Sequence, residues 1–447
     1  MASEYFLYIK LEKLLAEQKN YFWSKNNYKL YSTGHLKELT RHYNGHIREI
    51  AVLCLGLIRD VSALPELINR TNDWAEPVRK SARQSIERLL VSTNSAEFVK
   101  CLPHLIWLLE CQRDDHSIFV FKIMDFLSSE ENKYALLNGL SSPDKIVAER
   151  SLCMLVDKSL FSLDVIFEQA MLHPNPIVRM RATEYKLDSG CDNKENHIRV
   201  MLIDSFSPIK QFVLQYMINN MVRVPEDLCF RLLLDKNSLV RSRIHKLIAR
   251  NQFDIISFYL DVFNNSSNSV AKRKVALCAL NEHRYEKIIE ITESNLEPNF
   301  IGIYMTSLKI IAQHKGDDAS GLLFDSMSHP LVGIVKLSLK LILKEKIVFN
   351  LMDVQRLLDK SPSPSHIPIY YSMARSLNKW DNLILILDNI NINKNDIDFT
   401  KIQINYWGES YNFSGVSPSY SQKIKLKTLV ENINIPLVTN RVLFFLD

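Results

Sequence analysis

The chain has 447 residues, 47% apolar and 23% charged, with a formal net charge of +5. That length exceeds what one compact core sustains, so it calls for several domains or an elongated repeat array. Eleven glycines and 15 prolines are too few turn-formers for a many-stranded β protein, and no apolar run is long enough to span a membrane. Seven scattered cysteines without a C-x-x-C point to a reduced, cytoplasmic protein that uses its thiols as small core residues.

From the N-terminus, residues 1–34 read as capping helices. They begin with an amphipathic stretch carrying Glu4, Lys10, Glu12 and Lys13, which is not a signal peptide. The run containing Tyr21, Phe22, Trp23 and Tyr28 offers a sharper reading as a binding arm. A repeating unit starts at Ile47 with I-R-E-I-A-V-L-C-L-G and returns at Val78 as V-R-K-S-A-R-Q-S-I. Further copies open at Val147, Val178, Ile209, Val240, Ala271, Ile301 and Val332, at steps of 30 or 31 residues. A weaker copy at Ile118 follows Val78 by 40 residues, which predicts an insertion near Cys101–Asp115. Each copy follows another helical stretch, such as Ser62–Arg70, Ser95–Glu110 or Glu226–Asp235, with proline and other breakers between the two. A two-helix unit of this size cannot bury its apolar face alone, so the units must stack.

The segments V-R-K-S-A, V-R-M-R-A and I-R-E-I-A-V-L-C-L-G, the last followed by D-V-S-A-L-P-E-L-I, resemble the HEAT-like repeats first described in phycobilin lyases. The resemblance covers residues 35–346 and implies an all-α solenoid of about ten helical hairpins. Proteins with such repeats include scaffolds, transport receptors, chromophore lyases and DNA glycosylases, so the fold alone does not carry a function. The resemblance also implies that an Asp ahead of a second helix meets the Arg at that helix's second position. Asp73 stands six residues before Arg79 and Asp235 six before Arg241, which makes these two arginines the expected ladder residues. Arg48 and Arg179 lack such an Asp.

The predicted organisation is capping helices at 1–34, a solenoid over 35–361, a terminal hairpin over 362–395 and a C-terminal cap over 396–447. In the cap, Thr400–Trp407 and Arg441–Leu446 read as short strands flanking a helix over Ser419–Ile433.

No local motif supports catalysis. Phosphate-binding glycine patterns and H-E-x-x-H are absent. His42 and His46 have helical metal-ligand spacing, but Asn44 and Gly45 break the helix between them, so neither a metal nor a cofactor is expected. If the chain were like the HEAT-like glycosylases, Trp74, Trp107 and Asp115 would be the candidate residues. Trp74 also reads as a helix-start packing residue.

Charge is the functional signal. The second helices sum to +17, leaving −12 for the rest of the chain. A concave face lined by second helices would therefore be basic and would attract an acidic partner. Its candidate residues are Arg79, Arg83, Arg179, Arg181, Lys210, Arg241, Arg243, Lys246, Arg250, Lys272, Arg273 and Lys274. Arg243, Lys246 and Arg250 share one helix face by spacing. The function expected is a non-enzymatic scaffold that binds an acidic protein. A nucleic acid is the second partner class, with a glycosylase-like repair activity as its enzymatic form, and no membrane is expected.

Overall fold

The computed structural model describes residues 2–17, 32–189, 194–249, 253–296, 300–390, 397–409 and 416–431. These residues form helices and turns, with no strand among them. The chain divides into two compact units, Met1–Leu233 with Ser242–Leu247, and Leu234–Arg241 with Ile248–Asp447.

The first unit runs through α1 (Ala2–Glu17), α2 (Thr33–Leu39), α3 (Gly45–Ile58), α4 (Leu64–Arg70), α5 (Glu76–Glu87), α6 (Ser95–Lys100), α7 (Leu102–Glu110) and α8 (Ser117–Leu127). It continues with α9 (Lys133–Leu140), α10 (Lys145–Asp157), α11 (Leu163–Met171), α12 (Pro176–Asp188), α13 (Lys194–Leu202), α14 (Ser207–Asn219) and α15 (Glu226–Leu233). The division between units falls within α16 (Ser238–Ile248).

The breaks seen in the sequence are helix starts. Pro77, Pro176 and Pro208 occupy the first turns of α5, α12 and α14, where a missing N–H costs nothing. Asn44, Asp144 and Asn175 accept backbone N–H groups at the starts of α3, α10 and α12. α2 ends at Leu39, Asn44 caps α3 and Gly45 is its first residue, so His42 lies in the turn and His46 in α3 rather than on one helix.

Second helices pack on second helices (α3 on α5, α10 on α12, α12 on α14) and first helices on first helices (α4 on α7, α9 on α11, α13 on α15). This neighbour-to-neighbour stacking is what a HEAT-like repeat predicts. The terminal α1 packs on α3 and buries Leu11 and Leu15. The extra residues before Ile118 split one first helix into α6 and α7, with Pro103 starting α7, and lengthen the turn that follows. The expected single stretch Ser95–Glu110 is therefore two helices.

The second unit contains α17 (Ile255–Asn264), α18 (Val270–Glu282), α19 (Ile288–Ser294), α20 (Ile301–Lys315), α21 (Ser320–Met327) and α22 (Val332–Lys344). It ends with α23 (Leu351–Asp359), α24 (Ile367–Ala374), α25 (Lys379–Ile390), α26 (Ile397–Glu409) and α27 (Tyr420–Glu431). One apolar core runs from Tyr304 to Leu385, and a second joins Tyr371, Trp380, Leu383, Leu387, Ile404, Trp407 and Leu426.

The expected strand at Thr400–Trp407 lies inside α26. Ile404 and Trp407, three residues apart, face the same core, and the Trp407 ring meets Trp380 edge-on with centroids 5.7 Å apart. A strand would have sent those two residues to opposite faces. The helix expected over Ser419–Ile433 is α27. Arg441–Leu446 and the aromatic run at residues 21–28 lie outside the described residues.

Candidate protein-binding surface

The second helices carry two populations of cations, one consumed by the scaffold and one left exposed. In the first, Arg48 is buried on α3 and donates from Nε and Nη2 to Asp73 at 2.9 and 2.8 Å. Its Nη1 donates to the carbonyls of His42 and Tyr43 at 2.7 and 2.9 Å. Arg179 repeats this arrangement, with Nε and Nη2 on Asp204 at 2.8 and 3.0 Å and Nη1 on the carbonyls of His173 and Pro174. Burial pushes the carboxyls of Asp73 and Asp204 up. Hydrogen bonds and positive charge from these arginines outweigh it and hold both below the usual carboxylate range.

The expected pairing of Arg79 with the Asp73 side chain is not formed. Arg79 donates to the Asp73 main-chain carbonyl at 2.9 Å and its Nε lies 3.5 Å from the Asp114 carboxylate. Arg241 likewise meets the Asp235 carbonyl at 2.6 Å and takes its carboxylate from Glu282. The rule is that each arginine grips the carbonyls of its own hairpin turn and a carboxylate supplied later in the chain. Arg48 and Arg179, which lack the preceding Asp, obey it best.

Other predicted site residues are also engaged. Arg83 donates to Asp114 at 3.0 Å and stacks on Phe119. Arg273 donates to the Phe263 carbonyl at 2.8 Å and lies over the rings of Phe263 and Phe300. Arg181 pairs with Glu184 on the surface. Lys210 is half-buried, and its charge acts on Asp204. Arg243 donates to Gln211 and Gln215 at 3.0 and 3.3 Å. Lys246, Lys272 and Lys274 are exposed, and Arg250 lies outside the described residues.

The exposed population is concentrated in the second unit. There α18 packs on α20 and α20 on α22. Lys274 on α18, Lys309 on α20, and Lys336 and Lys340 on α22 are all exposed, and none enters an ion pair with a described residue. Residues 301–315 and 332–344 contain no Asp or Glu. Lys274 and Lys309 both act electrostatically on the Cys278 thiol, as do Arg241 and Glu282, so both lie in its neighbourhood. In the 31-residue register Lys309 corresponds to Lys340. Lys336 and Lys340 are one helical turn apart on α22. Lys309, Lys336 and Lys340 were not among the residues singled out from the sequence. The register that revealed the repeat could have found them.

With helix axes 8–10 Å apart, two such charges repel by only about 0.4 kcal/mol in water. The cluster thus costs the fold little while its field sums outward.

The glycosylase candidates divide. Trp74 and Trp107 border one cavity, whereas Asp115 accepts the Ser117 N–H and hydroxyl at the start of α8 and does not line it. These two hydrogen bonds hold the Asp115 carboxyl below its ordinary range.

No protein-family profile matches the chain, and no curated protein matches it. Among solved structures, an engineered protein from a structural genomics consortium aligns over 85% of this chain and 98% of its own at 12% identity, with a TM-score of 0.20. A structure of a tumour overexpressed gene (TOG) domain array, from work on tubulin recruitment by microtubule polymerases, aligns over 96% and 98% at 11% identity, with a TM-score of 0.18. Scores this low carry no argument about this chain. The HEAT-like character therefore rests on the 31-residue period and the stacked helical hairpins. No described helix is long and apolar enough to cross a membrane.

Proposed function

We propose that this chain is a binding scaffold that engages an acidic segment of a protein partner through the lysine face of α18, α20 and α22. The supporting observation is that exposed lysines recur on three consecutive helices, two of them without any acidic residue, while the arginines of the same template are consumed internally. Lysine heads on flexible stems suit an irregular run of Asp and Glu side chains. Among the described residues α18, α20 and α22 themselves carry no exposed aromatic ring, and the exposed Phe300 ahead of α20 lies against Arg273, which favours protein over single-stranded nucleic acid.

The test is a tagged pull-down from native extract with and without nuclease. It compares the natural chain with a Lys309→Glu, Lys336→Glu, Lys340→Glu variant whose helical circular dichroism is unchanged. Loss of a nuclease-resistant protein partner in the variant supports the reading. Retention of that partner sinks it, and recovery of nucleic acid alone transfers the face to the second partner class.

A further inference from the structure

A second surface stands out in the first unit, far along the sequence from the lysine face. The end of α4, the α4–α5 turn, α7 and the α7–α8 turn line an open cavity of about 640 Å³. That volume lies within the range typical of ligand sites. Its wall includes Arg70, Asp73, Trp74, Trp107, Gln112 and Arg113. Trp74 is 71% exposed and Trp107 43%. Two indole rings left in water beside one cavity are more than a stray apolar residue, because aromatic surface of this kind marks interfaces.

We infer that this cavity receives an extended peptide segment of a partner protein that presents an aromatic side chain next to a carboxylate. The inference does not depend on the lysine face.

The charge of the wall selects the ligand. The Arg48 guanidinium lies 5.5 Å from the centre of the Trp74 ring and occupies one ring face. A second cation on the opposite face would meet a ring already spent on a positive charge, with Arg70 and Arg113 nearby. Cationic ligands, the usual guests of paired tryptophans, are thereby disfavoured. Asp73 cannot reverse this, because its two oxygens already accept from Arg48, Arg70 and the Ala75 N–H.

Arg113 is different. It is exposed, donates from Nη1 to the Asn72 carbonyl at 2.9 Å, and forms no ion pair with a described residue. Its remaining N–H groups suit an incoming carboxylate. The amides of Asn69 and Gln112 on the same wall can pair with a peptide backbone. A cavity whose rim is this exposed suits a passing chain better than an enclosed small molecule.

The probe is a panel of fluorescein-labelled ten-residue peptides, each with one phenylalanine, tyrosine or tryptophan flanked by aspartates, titrated by anisotropy against the full chain. Control peptides replace the aromatic residue with alanine or the aspartates with asparagine. At least one aromatic peptide should bind. Trp74→Ala and Trp107→Ala should each weaken binding tenfold or more. Arg113→Gln should weaken it for the aspartate peptides and leave the asparagine peptides unchanged. All three residues are exposed, so unchanged circular dichroism is expected and is checked first. The Lys309, Lys336, Lys340 reversal should leave this binding intact, which separates failure here from failure of the lysine face. Absence of binding, equal binding of the alanine peptides, or insensitivity to all three variants overturns the proposal. Tighter binding of a single-stranded oligonucleotide that is lost in the same variants also overturns it.

Discussion

Arg48, Arg79, Arg179 and Arg241 hold one template position but take their carboxylates from different distances along the chain. Arg48 and Arg179 each find an Asp 25 residues on, at Asp73 and Asp204. From Arg79 that spacing reaches His104, and the residues added before Ile118 move the carboxylate out to Asp114. From Arg241 it reaches Ser266, which has no charge, and Glu282 at the end of α18 substitutes. Removing one partner of a buried pair strands the other, at a cost of about 3–5 kcal/mol. Asp73→Ala should therefore lower the urea midpoint of unfolding strongly, whereas Lys336→Ala should change stability by less than about 0.5 kcal/mol. Near-equal midpoints for the two variants would contradict the ladder.

His116 makes a second prediction at this scale. It is buried, and Arg83 Nη2 lies 3.2 Å from its Nδ1 while its Nε2 faces Asn72 Oδ1 at 3.3 Å. Because guanidinium can only donate, Nδ1 accepts and Nε2 carries the proton. Burial first, and then the Arg83 charge, hold its pKa below the ordinary 6.5, against a smaller opposing pull from Asp114 and Asp115. As pH falls below 6.5 the unfolded chain takes the proton first, so this contribution to stability is present above 6.5 and lost below it. The drop in urea midpoint between pH 7.5 and 5.5 should be smaller in His116→Gln than in the natural chain.

At the scale of elements, helix contacts depend on single small residues. On α3, a Cβ added to Gly56 would lie 2.5 Å from Ser85 Cβ and 2.8 Å from its Cα on α5, and Ser85 Oγ donates to the Val52 carbonyl across the same contact. The obstacle includes backbone, so it cannot simply rotate away. Gly56→Ala should destabilise by about 1–3 kcal/mol through overpacking, despite alanine's better helix propensity. A variant at least as stable as the natural chain in thermal melts would show that α3 and α5 sit further apart. Element boundaries also depend on packing. The alternation in Thr400–Trp407 suggests a strand, but burial of Ile404 and Trp407 on one side makes it helix, because local β pattern is weak against a core contact.

For the whole molecule, charge segregation is the property on which the proposed function rests. The lysine face should bind its partner with a steep salt dependence, since exposed charges are screened within about 10 Å at 0.1 M salt. Raising salt from 50 to 300 mM should weaken partner capture several-fold in the natural chain and much less in the triple lysine reversal. A salt-independent complex would point to an apolar interface instead.

The sequence alone determined the helical class, the 31-residue period, the helix starts at proline and Asn or Asp caps, and the excess of positive charge on second helices. These follow from local spacing and composition, which survive folding unchanged. Only the tertiary structure decided which of those charges are available. Arg79 and Arg241 read as ladder residues but with other carboxylates, and Arg179 and Arg273 read as groove cations; carbonyls and carboxylates brought from 5 to 41 residues away engage all four. Lys309, Lys336 and Lys340 are exposed on α20 and α22, which pack on each other, and the face proposed above rests on that neighbourhood. The Trp74–Trp107 cavity likewise needs two separate turns brought together. Whether a charge is paired or a ring is covered depends on partners distant in sequence, and chain order does not specify that distance.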